Sequence, residues 1–186
     1  MQRDLSFLPG MLITMLLLSG AAGCGATDKA AKKEFLAALG NTTVTVFPAF
    51  VRGRSVAYDD AAAGAIAEEL ARRGLARIEV SDAHVPLGGA WHRNEARMFR
   101  ESASAFADWL RAHPVATSYA LLPEYLGGPD RFVAVHFYVV DGRGRLALGG
   151  LFNSHWREFK AVKPRTTADC TRVALLALEE LKLPAK

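Results

Sequence analysis

The chain has 186 residues, a formal net charge of +4, 51% hydrophobic residues and only two cysteines. The basic excess is scattered, with no block of five or six like charges, so nothing points to a nucleic-acid partner. The length fits one domain with its own core after a leader is removed, and a disulfide framework is excluded if one of the two cysteines is modified.

Residues 11–18 (MLITMLLL) form an apolar run. It is too short for a membrane span, which needs about 20 apolar residues. A short segment with Arg3 precedes it, and small residues 19–23 follow it. A charged start, an apolar centre and a small-residue cleavage zone are the layout of an exported protein's signal peptide. Residues 1–23 are therefore read as a signal peptide, 24–40 as a processed N-terminus and tether, and 41–183 as a single α/β domain.

Within the tether, residues 31–39 have helical character, with Phe35, Leu36 and Leu39 on one side and a stop at Gly40-Asn41. Residues 42–51 (TTVTVFPAFV) alternate as a strand, interrupted at Pro48 because proline has no N–H to give a ladder. Asp59 or Asp60 caps a helix over residues 61–73 that ends at Gly74. A second strand follows at 76–80, with Ile78 and Val80 expected inward. The strand–helix–strand order predicts a right-handed crossover between parallel strands.

After a loop at 81–90, the longest helix is expected over 91–111, with Met98, Phe99, Ser102, Phe106, Trp109 and Leu110 on one face. A strand with an internal proline, Pro123, is read at 117–125. Residues 132–140 are apolar on both faces, as an interior strand should be. The run Asp141-Gly142-Arg143-Gly144 signals a tight turn into an antiparallel strand at 146–153. Thr166 and Asp169 make a capping box for a last helix to about Leu181, whose apolar face includes Cys170. The resulting order is β-α-β-α-β-β-β-α, one α/β sandwich with a mixed sheet of about five strands.

If Val140 pairs with Arg145, His136 faces Gly149 and Tyr138 faces Ala147. His155 then lies six pairs from His136, roughly 20 Å at ~3.4 Å per residue, so one metal ion could not bridge them. His84, His92 and His113 are far apart in sequence. No metal site and no cofactor are expected. Ser154 and His155 would point to opposite faces of a continued strand, so they do not pair as nucleophile and base. Cys170 reads as a small core residue, and no GxSxG, HExxH or P-loop pattern is present.

Two resemblances add to this reading. The tetrad Ala21–Cys24 (AAGC) resembles the lipobox of bacterial lipoproteins, with Ala21 where that family usually has leucine. The resemblance implies that Cys24 is lipidated and becomes the first mature residue, with palmitate among its acyl chains. Gly25 after the cysteine leans towards the outer membrane. An ordinary signal cleavage giving a soluble periplasmic protein is the alternative.

The element order resembles the small α/β domains of several envelope proteins. The features concerned are the strand at 42–51, the helix at 59–75, the strand at 76–80, the hairpin at 141–145 and the closing helix. Those proteins are the curli-secretion lipoprotein, the lipoprotein activator of a penicillin-binding protein, and the amino-terminal domain of the Tol-Pal system's propeller protein. The resemblance implies a non-catalytic protein that docks other envelope proteins.

Trp91, Trp156 and Arg157 are the candidate partner-binding residues, because Trp and Arg dominate interface hot spots. Each tryptophan could equally plug the rim of the core. The sequence therefore reads as an outer-membrane-anchored, periplasm-facing binding or scaffolding protein, held to the bilayer through Cys24. An exported hydrolase-like enzyme, or a structural subunit of a secretion or envelope assembly, is the alternative.

Overall fold

The computed structural model describes residues 27–74, 77–88, 94–128 and 130–180. Its elements are α1 (Lys29–Ala38), β1 (Thr43–Val46), β2 (Ala49–Arg52), β3 (Val56–Asp59), α2 (Asp60–Arg72), β4 (Arg77–Val80), α3 (Glu95–Ala112), β5 (Tyr119–Gly127), β6 (Phe132–Asp141), β7 (Leu146–Asn153), α4 (Arg157–Val162) and α5 (Thr167–Glu180). Among the described residues the strands form one seven-stranded mixed sheet, so the chain is an α/β fold. No described helix is long and apolar enough to cross a membrane.

The sheet is organised around β5. Its first third pairs in parallel with β1, and its last third pairs in parallel with β2. The gap between those pairings falls at Leu122 and Pro123, opposite the break at Phe47-Pro48. Neither proline has an N–H to give, so placing the two breaks side by side spares the ladder a lost hydrogen bond. β4 lies parallel outside β1, as the predicted crossover requires, and β3 lies antiparallel outside β2. On the other side of β5 come β6 and then β7, both antiparallel. The seven strands thus occupy five ranks.

Both faces are covered. On one, Ile66 and Leu70 of α2, Val173 and Leu178 of α5, and Phe35 of α1 pack on Val44, Leu121, Val135 and Phe137. On the other, Phe106 and Leu110 of α3, with Val85 and Leu87 of the preceding loop, pack on Phe47, Phe50, Leu122 and Tyr138. The helix ends follow the sequence signals. Asp59 accepts from the Ala62 N–H at 3.2 Å, and Gly74 takes φ +62°, a left-handed value that favours glycine. The Thr166–Asp169 capping box is reciprocal, with 3.0 Å and 3.1 Å hydrogen bonds.

Helix α1 lies inside the stretch read as tether. Its Asp28 cap accepts from the N–H groups of Ala30 and Ala31. The Asp28 N–H donates to the Leu146 carbonyl at 2.9 Å, and Phe35 meets Tyr119 edge-on at 4.8 Å. The packed body therefore includes the chain from Asp28 onward, and the chain enters it beside the Leu146 end of β7.

Five expectations need correction. The β6–β7 register is shifted by two residues over most of its length, so His136 opposes Leu151 and Tyr138 opposes Gly149. The turn is wider than expected, with Arg143 and Arg145 N–H groups both donating to the Asp141 carboxylate, and a bulge follows at Val140. A shift of two keeps every side chain on its expected face. Val80 is 55% exposed rather than inward, because β4 is an edge strand. β3 and α4 were not expected at all. The long helix begins at Glu95, capped by Asn94, rather than at residue 91.

Candidate functional site

A buried charge network crosses the α3 face of the sheet. Glu124 and His136 are direct cross-strand partners on β5 and β6, and both are fully buried. The Glu124 carboxylate accepts from Arg52 Nε at 3.0 Å, Ser102 Oγ at 3.2 Å and Tyr138 OH at 2.6 Å. His136 Nδ1 lies 3.1 Å from Tyr138 OH and 3.4 Å from Glu124 Oε2. Its Nε2 lies 3.3 Å from Glu95 Oε1 on α3, and Asn153 Nδ2 donates to the other Glu95 oxygen at 2.7 Å. Arg52 Nη2 donates to the carbonyls of Leu87 and Gly88, both at 3.2 Å. One network therefore ties β2, β5 and β6 to α3, to the loop before it and to the end of β7.

With His136 protonated, the network holds two cations and two carboxylates and is neutral. Burial alone would lower the histidine's pKa, but its hydrogen bonds to Glu124 and Glu95 outweigh that and raise it. Burial likewise acts to raise Glu124 and Glu95, and the contacts with His136 bring both below the ordinary carboxylate value. A raised histidine contributes stability that is complete below its unfolded pKa and is lost as pH rises through its folded pKa. Depressed glutamates contribute stability that is complete above their unfolded pKa and is lost as pH falls through their folded pKa. The contribution is thus complete between the ordinary values of 4.5 and 6.5. Denaturant unfolding should show stability falling as pH rises above about 6.5, measured up to about pH 8, and His136→Gln should remove that slope. Stopping near pH 8 keeps out the buried Cys170 thiol, whose pKa burial pushes up.

A groove of different character opens at the other end of the fold from Asp28. It holds about 290 Å³ and is lined by Phe132, Val133, Phe159 and Pro164, with Arg131, Lys160, Lys163, Arg165 and Ser154 around them. Three segments build it. The β5–β6 connection is closed by a Gly128 N–H to Arg131 carbonyl bond of 2.7 Å, and the Phe132 N–H donates to the Pro164 carbonyl at 3.2 Å, fixing the α4–α5 link against the start of β6. Helix α4 supplies Phe159, buried in the core, and Lys160, exposed on the surface.

Lys163 ends α4 in the left-handed conformation, at φ +50°. That conformation costs an L residue roughly 1–2 kcal/mol, and helices commonly place glycine there. Lys163→Gly should therefore stabilise the fold by about 0.5–1 kcal/mol in urea unfolding. A loss of stability would mean that the lysine side chain makes a compensating contact.

The structure places the residues expected from sequence in different settings. Trp156 is half-buried at the N-cap of α4, with its ring 4.6 Å from Phe152. Arg157 is 89% exposed and pairs with its neighbour Glu158. Both stand at the start of α4, and neither lines the groove. Cys24 and Trp91 lie outside the described residues. Ser154 and His155 sit in a turn after β7, where the Asn153 side chain accepts from the His155 N–H at 2.9 Å. Cys170 is fully buried in the core. The network was not foreseen. Its one signal was a charged residue inside the apolar run LLPEY, since a buried charge must be paired.

No family model matches the chain, and no curated protein matches it. Among solved structures it is similar to the C-terminal domain of LpoB from Salmonella enterica, at 15% identity over 66% of this chain and 90% of that one, with a TM-score of 0.40. It is similar to a PelC variant from Paraburkholderia phytofirmans, a dodecamer, at 15% identity over 77% of this chain and 90% of that one, with a TM-score of 0.41. It is also similar to the LpoB C-terminal domain from Escherichia coli, at 12% identity over 66% and 91% of the two chains, with a TM-score of 0.40.

Proposed function

We propose that this chain is a non-catalytic binding or scaffolding protein of the cell envelope, anchored in the outer membrane through lipidated Cys24 and facing the periplasm. The observation that carries the reading is the groove. An apolar floor is rimmed by four cationic side chains that form no ion pair among the described residues. The segment LLLSGAAGC supports the anchor. Cys24 lies four residues before Asp28, which at ~3.5 Å per residue spans at most about 14 Å. The Leu146 end of β7 is thus the tethered end. The groove lies at the other end of that strand, roughly 24 Å further at ~3.4 Å per residue.

A photo-reactive amino acid at position 160 tests this reading in living cells. Covalent adducts with an envelope protein are expected at 160 and not at 143, on the hairpin at the tethered end. Cys24→Ser should abolish fatty-acid labelling and release the protein from the membrane fraction. Absence of adducts at both positions would overturn the binding role, and an unlabelled wild type would overturn the anchor.

The second reading is an exported hydrolase-like enzyme, for which the convergent Glu124, His136, Tyr138 and Ser102 are the acid–base groups to test, although all four are buried and line none of the grooves described. Turnover of chromogenic ester, amide, phosphate or glycoside substrates that vanishes in His136→Gln and persists in Lys160→Glu would establish it.

A further inference from the structure

We infer that the groove takes an acidic segment of a partner protein carrying one apolar anchor side chain, an inference that rests on the binding role proposed above. The four cations come from separate segments: Arg131 from the β5–β6 connection, Lys160 from α4, and Lys163 and Arg165 from the α4–α5 link. None has an ion-pair or side-chain hydrogen-bond partner among the described residues. The neighbouring acids offset this charge only in part. Asp130 shares the adjoining recess with Arg131 and Arg165 but forms no ion pair with either among the described residues. Glu158 is engaged by Arg157, and the Asp169 carboxylate is occupied by the Arg165 and Thr166 N–H groups of the capping box.

Gathering four like charges at one end raises the local positive potential. Carboxylates from a partner would meet that potential with charge-assisted hydrogen bonds, bidentate at the arginines. The floor narrows the choice of ligand. Phe132, Val133, Phe159 and Pro164 would stay uncovered under a simple inorganic anion, and the volume of about 290 Å³ has room for a side chain the size of leucine or phenylalanine. An apolar anchor in a pocket with a charged rim is the usual form of an interface hot spot. The headgroups of the anchoring bilayer are the poorer match, because the chain enters the body at the Leu146 end, away from the groove. Lys163, held at φ +50° where glycine would sit without strain, agrees with a position kept for its side chain.

Fluorescence anisotropy of the full chain in detergent tests the inference. The probe is a labelled twelve-residue peptide alternating Asp or Glu with Leu or Phe. Saturable binding is expected. It should weaken at least tenfold when the acids become Asn and Gln, tenfold when the apolar residues become Gly, and tenfold in Lys160→Glu/Arg165→Glu. Arg143→Glu should bind as wild type. If the double reversal fails to fold by circular dichroism, Lys160→Gln/Arg165→Gln carries the same comparison with a smaller loss.

Absence of saturable binding overturns the inference, as does equal binding by the groove variants or by the peptide without apolar residues. Displacement of the peptide by millimolar inorganic phosphate, or by phosphatidylglycerol vesicles, also overturns it in favour of a phosphate ligand. Adducts at position 160 in cells together with any of these results would leave the binding role standing and remove only the acidic segment.

Discussion

Replacing Glu124 with alanine is expected to destabilise the fold by about 3–5 kcal/mol, the range for removing one partner of a buried ion pair. The carboxylate is fully buried and serves Arg52, Ser102, Tyr138 and His136 together. Its removal leaves Arg52 and a protonated His136 on the same buried face with no nearby countercharge except Glu95. Replacing the set at once, as Arg52→Met/Glu124→Leu/His136→Leu, should cost far less, because a buried ionic cluster exchanged for apolar groups of similar size is often neutral or stabilising by about 1–4 kcal/mol. Urea unfolding of the two variants checks both statements. A single substitution costing less than about 1 kcal/mol would show that the network bears little of the fold, since a surface pair is worth that much.

Phe137→Ala should cost about 3–5 kcal/mol, the range for truncating a buried aromatic. Phe137 is 1% exposed and stacks on Phe152 with ring centroids 5.6 Å apart. Gly150 lies opposite it, and a Cβ there would come within 2.4 Å of the Phe137 ring. A residue without a side chain cannot refill the void left by the ring, so the upper part of the range is expected. Trp156→Ala should cost less, because the indole is only half-buried against the same cluster. Trp156→Ala proving the more destabilising of the two would contradict this ordering.

The fold was legible in the sequence wherever one periodicity ran long enough to dominate. The cap at Asp59, the capping box at Thr166 and the doubly buried β6 all follow from local chemistry. The small residues of β7 opposite large ones on β6 have a packing reason. A Cβ on Gly149 would meet the Phe99 ring at 2.6 Å, so the glycine admits α3 to the sheet. The register itself was off by two because the Asp141 carboxylate gathers a wider turn than the tight one read from Asp-Gly. The four-residue β3 and six-residue α4 are too short for periodicity to announce.

The site was less legible, for a topological reason. Arg52, Glu124 and His136 belong to three strands, and Glu95 and Asn153 meet them only through the packing of α3 and the end of β7. Alternation within each strand assigns a face but not a neighbour. The groove cations are near one another in sequence only from 160 to 165, and Arg131 joins them through the Phe132–Pro164 hydrogen bond. Trp156 and Arg157, singled out by residue type alone, stand at the start of α4, the helix that supplies Phe159 and Lys160 to the groove.

The central claim is that the groove cations are held for a ligand and not for the fold. Urea unfolding of Arg131→Gln/Lys160→Gln/Arg165→Gln against wild type, at low salt, tests it most directly. Removing three like charges that have no ion-pair partners among the described residues should leave stability unchanged or raise it by up to about 1 kcal/mol, with the gain shrinking as salt is added. A fall of more than about 1 kcal/mol, beyond what exposed charges contribute, would show that these side chains support the fold and would contradict the account.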